Sequence, residues 1–194
     1  MRTGLFFDTE TTGLPNWKRQ SGDKSQPHIV QLAAIMVDLD TKKILQSIDV
    51  IVKPDGWTIP QATTDIHGIS TEMASEVGIP EAVVLGMFMN LYNKAPYRIA
   101  HNTTFDNRII RIALKRYLPN LISDEEWKNR DNYFCTLMNF KKIKGGKSGH
   151  TLAEAYKYFT SKDMDNAHNA FADVMACIDV YFGIQNYQEL GIAE

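Results

Sequence analysis

Residues 7–14 read FDTETTGL, which sets two carboxylates, Asp8 and Glu10, at the end of a short apolar run with one residue between them. Alternate residues of an extended segment share a face, so the two acids stand side by side. Like charges that close raise each other's proton affinity unless a cation neutralises them. Two further acids lie at element boundaries facing apolar sequence: Asp106 at the start of a helical pattern and Asp173 within the last one. Taken singly, each has an ordinary explanation, as an acid favoured by a helix dipole or as a solvated helix residue. The pair Asp8 and Glu10 is harder to explain so, and a metal ion held in an open carboxylate site on strand and helix ends would resolve it. Mg²⁺ takes a few carboxylates and keeps places for water and phosphate oxygens, which suits phosphoryl chemistry. Mn²⁺ accepts the same ligands, whereas zinc favours His and Cys at spacings absent here.

His168 precedes Asp173 by five residues in HNAFAD. Five steps of an ideal helix rotate by about 140°, so the two side chains cannot share a helix face. To act with Asp173, His168 has to sit at or before the helix start. From there it could reach a water bound to a cation held by Asp173. The alternative is a surface histidine near a helix N-terminus.

The elements that must position these groups are legible in outline. Leu5–Phe7 forms a short apolar strand, and Ile29–Val37 is a near-continuous apolar run suited to a central strand buried on both faces. Ile44–Lys53 alternates, with Ile48, Val50 and Val52 on one face, so three successive strands suggest a meander. Pro15–Pro27 lacks periodicity and reads as an exposed loop. After Pro80, suited to a first helical turn, Val83, Val84, Met87, Phe88 and Leu91 recur at helical spacing. Arg98–Ala100 reads as a strand, followed from Thr103 by a helix with Phe105, Ile109, Ile112, Ala113 and Tyr117 on one stripe and Arg108, Arg111 and Lys115 on another. Phe134–Thr136 is a further short strand. Thr151 and Glu154 match a capping box, opening a helix to about Phe159, and the last helix covers about Ala170–Ile184. The result is an α/β layer with a mixed sheet.

The 194 residues fit one domain, and no tract is long and apolar enough to cross a bilayer. The N-terminus lacks a signal-peptide h-region, and Cys135 and Cys177 suggest reduced core residues, so a cytoplasmic compartment is expected, with no membrane partner. A net charge of -2 supplies no bulk attraction for nucleic acid. Any such partner has to be recruited locally.

Three stretches resemble the motifs of the DEDDh group of 3'-to-5' exonucleases in the ribonuclease H-like superfamily, which includes polymerase III epsilon-type proofreading subunits. They are FDTETTGL with Asp8 and Glu10, AHNTTFD with Asp106, and HNAFAD with His168 and Asp173. Their order fits, over residues 4 to about 182, and a histidine stands where a sister subgroup has tyrosine. The resemblance implies a ribonuclease H-like fold, with a three-stranded meander plus parallel strands flanked by helices, and a single exonuclease domain over 1–194. It implies that Asp8, Glu10, Asp106 and Asp173 bind two divalent metal ions, Mg²⁺ with Mn²⁺ able to substitute, and that His168 is the general base of a two-metal hydrolysis releasing nucleoside monophosphates. The partner would be nucleic acid with a free 3'-end.

Substrate contacts follow less directly. Thr11, Thr12 and Leu14 resemble positions that meet the terminal nucleotide, with turn chemistry as the alternative. His67 and Ile69 lie in an element resembling the family's IHGI, near the terminal base, with a structural histidine as the alternative. Asn102 and Phe105 could touch the strand, although Phe105 also lies on an apolar stripe. The loop carrying Trp17, Lys18, Arg19 and Lys24 departs from the compact family pattern; it could steer a single strand, and an ordinary surface loop is the simpler reading. Single-stranded DNA is favoured over RNA because the motif style is closest to the epsilon-type branch, with RNA trimming as one alternative and a non-catalytic binding module as another. Polymerase association is possible but not indicated, since few residues follow the last helix.

Overall fold

The computed structural model describes residues 1–165 and 167–191. Six strands, β1 (Thr3–Thr11), β2 (Ile29–Asp38), β3 (Ile44–Lys53), β4 (Ile79–Pro80), β5 (Tyr97–Ala100) and β6 (Tyr133–Cys135), form a sheet in the order β4-β3-β2-β1-β5-β6. Strands β1, β2 and β3 pair antiparallel, while β5 lies parallel to β1, β6 to β5 and β4 to β3. Among the described residues eight helices surround it: α1 (Gln61–His67), α2 (Thr71–Val77), α3 (Glu81–Lys94), α4 (Thr103–Tyr117), α5 (Asp124–Lys128), α6 (Thr136–Lys144), α7 (Leu152–Thr160) and α8 (Ala170–Glu189). This is the mixed sheet with meander and parallel strands expected of a ribonuclease H-like fold. No helix among the described residues is long and apolar enough to cross a membrane.

The alternation of β1 divides the core. Leu5 and Phe7 point to one face, where they pack with Val84, Phe88, Ile109 and Ile110 of α3 and α4; Phe6 points to the other, against Val174, Cys177 and Tyr181 of α8. Strand β2 is buried on both faces, as its continuous apolar run requires. A centrally placed β1 therefore carries even-numbered residues towards α8 and odd-numbered ones towards α4, and the acids at its end inherit that choice.

The strand is longer than its apolar run implied. Asp8 and Glu10 lie inside β1, paired with Ala33 and Gln31 of β2, and the ladder slips between Glu10 and Thr11. Such irregularities re-aim side chains where pairing ends. In α3 the buried stripe is Val84, Leu85, Phe88, Leu91 and Tyr92, whereas Val83 and Met87 are exposed. Pro80 stands just before α3 with extended backbone, and pairs in β4 instead of entering the first turn. Thr136 opens α6 instead of closing β6, because its buried hydroxyl reaches the Ala100 carbonyl across the sheet end. The two cysteines are free, with Cys177 buried and Cys135 half-buried.

The loop between β1 and β2 is exposed along much of its length yet anchored. Buried Gln26 donates its amide to the carbonyls of Asn16 and Gln20, and Arg116 donates to the Gln26 and Pro27 carbonyls. At its end His28 Nδ1 lies 3.0 Å from Glu81 Oε2 and 2.9 Å from Arg116 Nη1, while its ring stacks on Trp57 at 4.4 Å. Glu81 is buried and also accepts from the Ile29 N–H. Removing one member of a buried charged cluster costs about 3 kcal/mol or more. Glu81→Ala is therefore expected to lower unfolding free energy by about that amount in urea titrations; a loss under about 1 kcal/mol would contradict the anchoring role.

Candidate active site

Asp8 and Glu10 project from β1 towards α8. Asp173 lies in the first turn of α8. Asp106 comes from the first turn of α4, on the far side of β1, and is drawn to the strand by Thr9, whose backbone N–H and hydroxyl both donate to Asp106 Oδ1 at 3.1 and 2.9 Å. The four carboxylates expected from the motifs thus converge at one end of the sheet. Asp8, Glu10, Asp173, His168 and Asn102 line one open cleft of about 590 Å³.

Burial and mutual repulsion shape their protonation. The Asp8 carboxyl is held well above the ordinary range, first by burial and then by Asp106, Asp173 and Glu10. Burial, with help from Asp173 and Asp106, pushes Glu10 up to about 7. Burial also takes Asp106 to about 7, although the Thr9 hydrogen bonds favour its charged form. Asp173 rises to about 6 by burial, partly offset by the neighbouring His168. A divalent cation relieves this strain directly, since it supplies the missing positive charge.

The donors fit such an ion. Ligand atoms of Glu10, His168 and Asp173 all lie within 4.8 Å of one another, and the buried Asp173 Oδ1 has no hydrogen-bond partner. His168 is exposed and precedes α8, as the helical rotation demanded, with left-handed backbone (φ 69°). Asn102, at the N-cap of α4, is left-handed too (φ 74°). For residues other than glycine that conformation costs on the order of 1 kcal/mol and clusters at functional sites.

The remaining substrate candidates divide. Asn102 lines the cleft. Leu14 is exposed and available to a substrate. Thr11 donates its hydroxyl to the Gly13 carbonyl, and Thr12 accepts from the His28 N–H, so both hydroxyls serve the turn. Ile69 is buried in a small cluster with Val30, Ile59 and Ala74, and Phe105 packs against the main core; their side chains support the site instead of facing it. His67 is buried, with Nδ1 accepting from the Ile69 N–H, and burial lowers its pKa.

Sequence reasoning missed several supporting residues. Gln31, opposite Glu10, accepts the Ala170 N–H at 3.1 Å and fixes the start of α8 against the sheet. Its place inside an apolar run was the available signal. Thr9 was hidden by its role as the spacer between two acids. His101 bridges Thr136 Oγ1 and the His150 carbonyl, and burial drops its pKa to about 4. Lys141 and Lys147 face the carboxylates across the cleft from α6 and the following glycine-rich turn; only the fold brings them there.

The RNase_T family model, described as Exonuclease, matches residues 5–181. The chain belongs to this exonuclease family, and with it to the DEDDh-type group that its motifs resemble. No match was found among curated proteins. Among solved structures, E. coli exonuclease I in complex with a dT13 oligonucleotide is similar at 21% identity and a TM-score of 0.76, over 99% of this chain and 43% of that one. The zinc-bound form of the E. coli exonuclease I–ssDNA complex has 22% identity and a TM-score of 0.73, over 97% and 41%. A moderately thermophilic exonuclease I from Methylocaldum szegediense has 22% identity and a TM-score of 0.72, also over 97% and 41%. The chain spans under half the length of these proteins, and at such identities the likeness establishes the fold.

Raised carboxylate pKa values have a stability consequence of fixed sign. Without a cation the folded chain holds protons on Glu10, Asp106 and Asp173 that the unfolded chain has released, so their contribution is complete below about pH 4 and is lost as pH rises through about 7. His101, with its lowered pKa, acts oppositely, adding stability as pH rises, but only up to about 6.5. Between about pH 6.5 and 8 the carboxylates therefore dominate. The thermal midpoint of the metal-free protein should fall by about 3 °C across that window and recover on adding Mn²⁺ or Mg²⁺; a flat or rising midpoint would contradict the electrostatic coupling.

Proposed function

We propose that the protein is a divalent-metal-dependent 3'-to-5' exonuclease that removes nucleoside 5'-monophosphates from single-stranded DNA. The observation that carries this reading is the convergence of four carboxylates with raised proton affinity beside a histidine in an open cleft. Asp8, Glu10, Asp106 and Asp173 would hold two cations, Mg²⁺ or Mn²⁺. When bound, the cations would supply Lewis-acid activation of water and charge stabilisation at the leaving 3'-oxygen.

The protein's own groups do the rest. His168, exposed at the cleft and clustered with Glu10 and Asp173, takes the proton of the attacking water as general base. Its position on the segment before α8 lets the ring move without disturbing the helix that holds Asp173. Thr9 keeps Asp106 aimed and favours its charged form, and Gln31 keeps α8 in register. Asn102, which lines the cleft, would meet the terminal nucleotide, with exposed Leu14 and the turn of Thr11 and Thr12 near His67 as further contacts. A DNA substrate is supported by the dT13 complex of the E. coli protein, and RNA trimming is the competing reading, decided by contacts to the 2'-hydroxyl.

The test uses 5'-labelled single-stranded DNA and RNA of one sequence with Mg²⁺, Mn²⁺ or EDTA. The DNA is expected to shorten from its 3'-end faster than the RNA, with no shortening in EDTA or with Asp8→Ala. His168→Ala should lose about 10²- to 10⁴-fold in rate while still binding metal. Failure to shorten either strand overturns the exonuclease reading; faster RNA shortening overturns the DNA assignment; full activity in His168→Ala removes the base.

A further inference from the structure

A second cleft, of about 920 Å³, does not hold the carboxylates. It lies between α4, α5 and the β1–β2 loop, and its charge is one-sided. Arg108, Arg111, Lys115, Lys128 and Arg130 line it against a single acid, Asp124, in a chain whose net charge is -2. Asp124 is already engaged by Arg111 at 2.8 Å and Lys115 at 2.6 Å. Lys128 and Arg130 form no ion pair among the described residues, and Arg130 lies over the Tyr133 ring at 4.6 Å.

The walls are built and aromatic. Arg108 donates to Ser21 Oγ at 2.8 Å and to the Arg19 carbonyl, which clamps the loop onto α4. Trp17, 57% exposed, stands on that clamped loop with the Arg108 guanidinium 5.7 Å from its ring. Asn107 and Trp127, each 2% exposed, contribute to the lining, and Asn107 Oδ1 and Trp127 Nε1 lack hydrogen-bond partners. Thr103 and Thr104 of the first turn of α4 also line it, immediately after Asn102, which borders the carboxylate cleft. The linings of the two clefts are thus adjacent in sequence at the N-terminus of α4.

Cations that follow a groove, with exposed aromatic rings between them, form the physical template for a single strand: phosphates pair with the charges and bases stack on the rings. We propose that this basic cleft binds the phosphodiester backbone of the substrate strand upstream of its 3'-end, with Lys128 and Arg130 on the phosphates and Trp17 stacked on a base. The inference rests on the exonuclease reading above and adds a strand path to it. The groove makes affinity depend on strand length, because a short oligonucleotide fills the carboxylate cleft without reaching the cations.

Binding is measured by fluorescence anisotropy in EDTA, and KM and kcat in Mg²⁺, with oligodeoxythymidylates of about four and about fifteen nucleotides. The Lys128→Ala/Arg130→Ala protein is expected to bind the long strand about tenfold more weakly, with a matching rise in KM, unchanged kcat and unchanged affinity for the short strand. Its salt slope should fall by about 0.7 for each phosphate left without its cation. Trp17→Ala should weaken long-strand binding about tenfold with the salt slope intact. Lys128→Arg/Arg130→Lys, which keeps both charges, should retain long-strand affinity. Equal losses for the two lengths, or none for either, overturn the groove, and capture of an acidic protein with no strand effect assigns the cleft to a protein partner instead. Length-dependent binding that disappears in the double variant upholds the groove even if the unaltered protein cleaves nothing, an outcome that removes only the exonuclease reading.

Discussion

Four carboxylates share a partly dry space at the end of β1, where burial raises the proton affinity of each and neighbouring carboxylates raise that of Asp8, Glu10 and Asp106 further. Water would screen such a cluster on an open surface; here burial is the first cause of every shift, so the repulsion persists until a cation or a proton answers it. Folding therefore stores an electrostatic demand that the chain's own side chains do not meet. Thr9 moderates it at Asp106 and His168 at Asp173, and both leave the proton affinity raised. A divalent ion would answer that demand, the alternative being protonation.

The fold serves that demand through the placement of one strand. Strand β1 is central, flanked by an antiparallel and a parallel neighbour, so its backbone is fixed on both edges while its side chains alternate between two helical layers. Asp8 and Glu10 meet the layer of α8, and Asp106 has to cross from the layer of α4. The crossing is made by Thr9, the one residue between the two acids, which faces the other way. The spacing of the first motif thus has two physical meanings: the acids share a face, and the residue separating them reaches the third carboxylate.

Much of this was legible in the sequence. The acids and His168 were found from residue type and spacing, and the five-residue offset correctly set His168 ahead of its helix. Strands β2 and β3 were visible because one is continuous and the other alternating in hydrophobicity, while β1 was visible only over Leu5–Phe7, since its acids interrupt the apolar run. Other features were hidden because they depend on partners remote in the chain. Gln31 pins α8 across 139 positions; a polar residue inside an apolar run marks it as unusual, but nothing local names its partner. Val83 and Met87 entered the expected apolar stripe of α3 because a helical period fits more than one face, and only packing chooses among them. The basic stripe of α4 was visible as a stripe; the clamped loop and α5 turn it into a cleft wall.

If the carboxylate cluster holds protons where a cation belongs, cation binding must displace them. Titration calorimetry with Mn²⁺ in two buffers of different ionisation enthalpy, near pH 6 and near pH 8, tests this most directly. With Glu10 and Asp106 raised to about 7, binding near pH 6 should release on the order of one to two protons, and binding near pH 8 should release few; Asp8→Ala should weaken or abolish both. Binding without proton release near pH 6, or binding indifferent to Asp8, would contradict the exchange of protons for a cation.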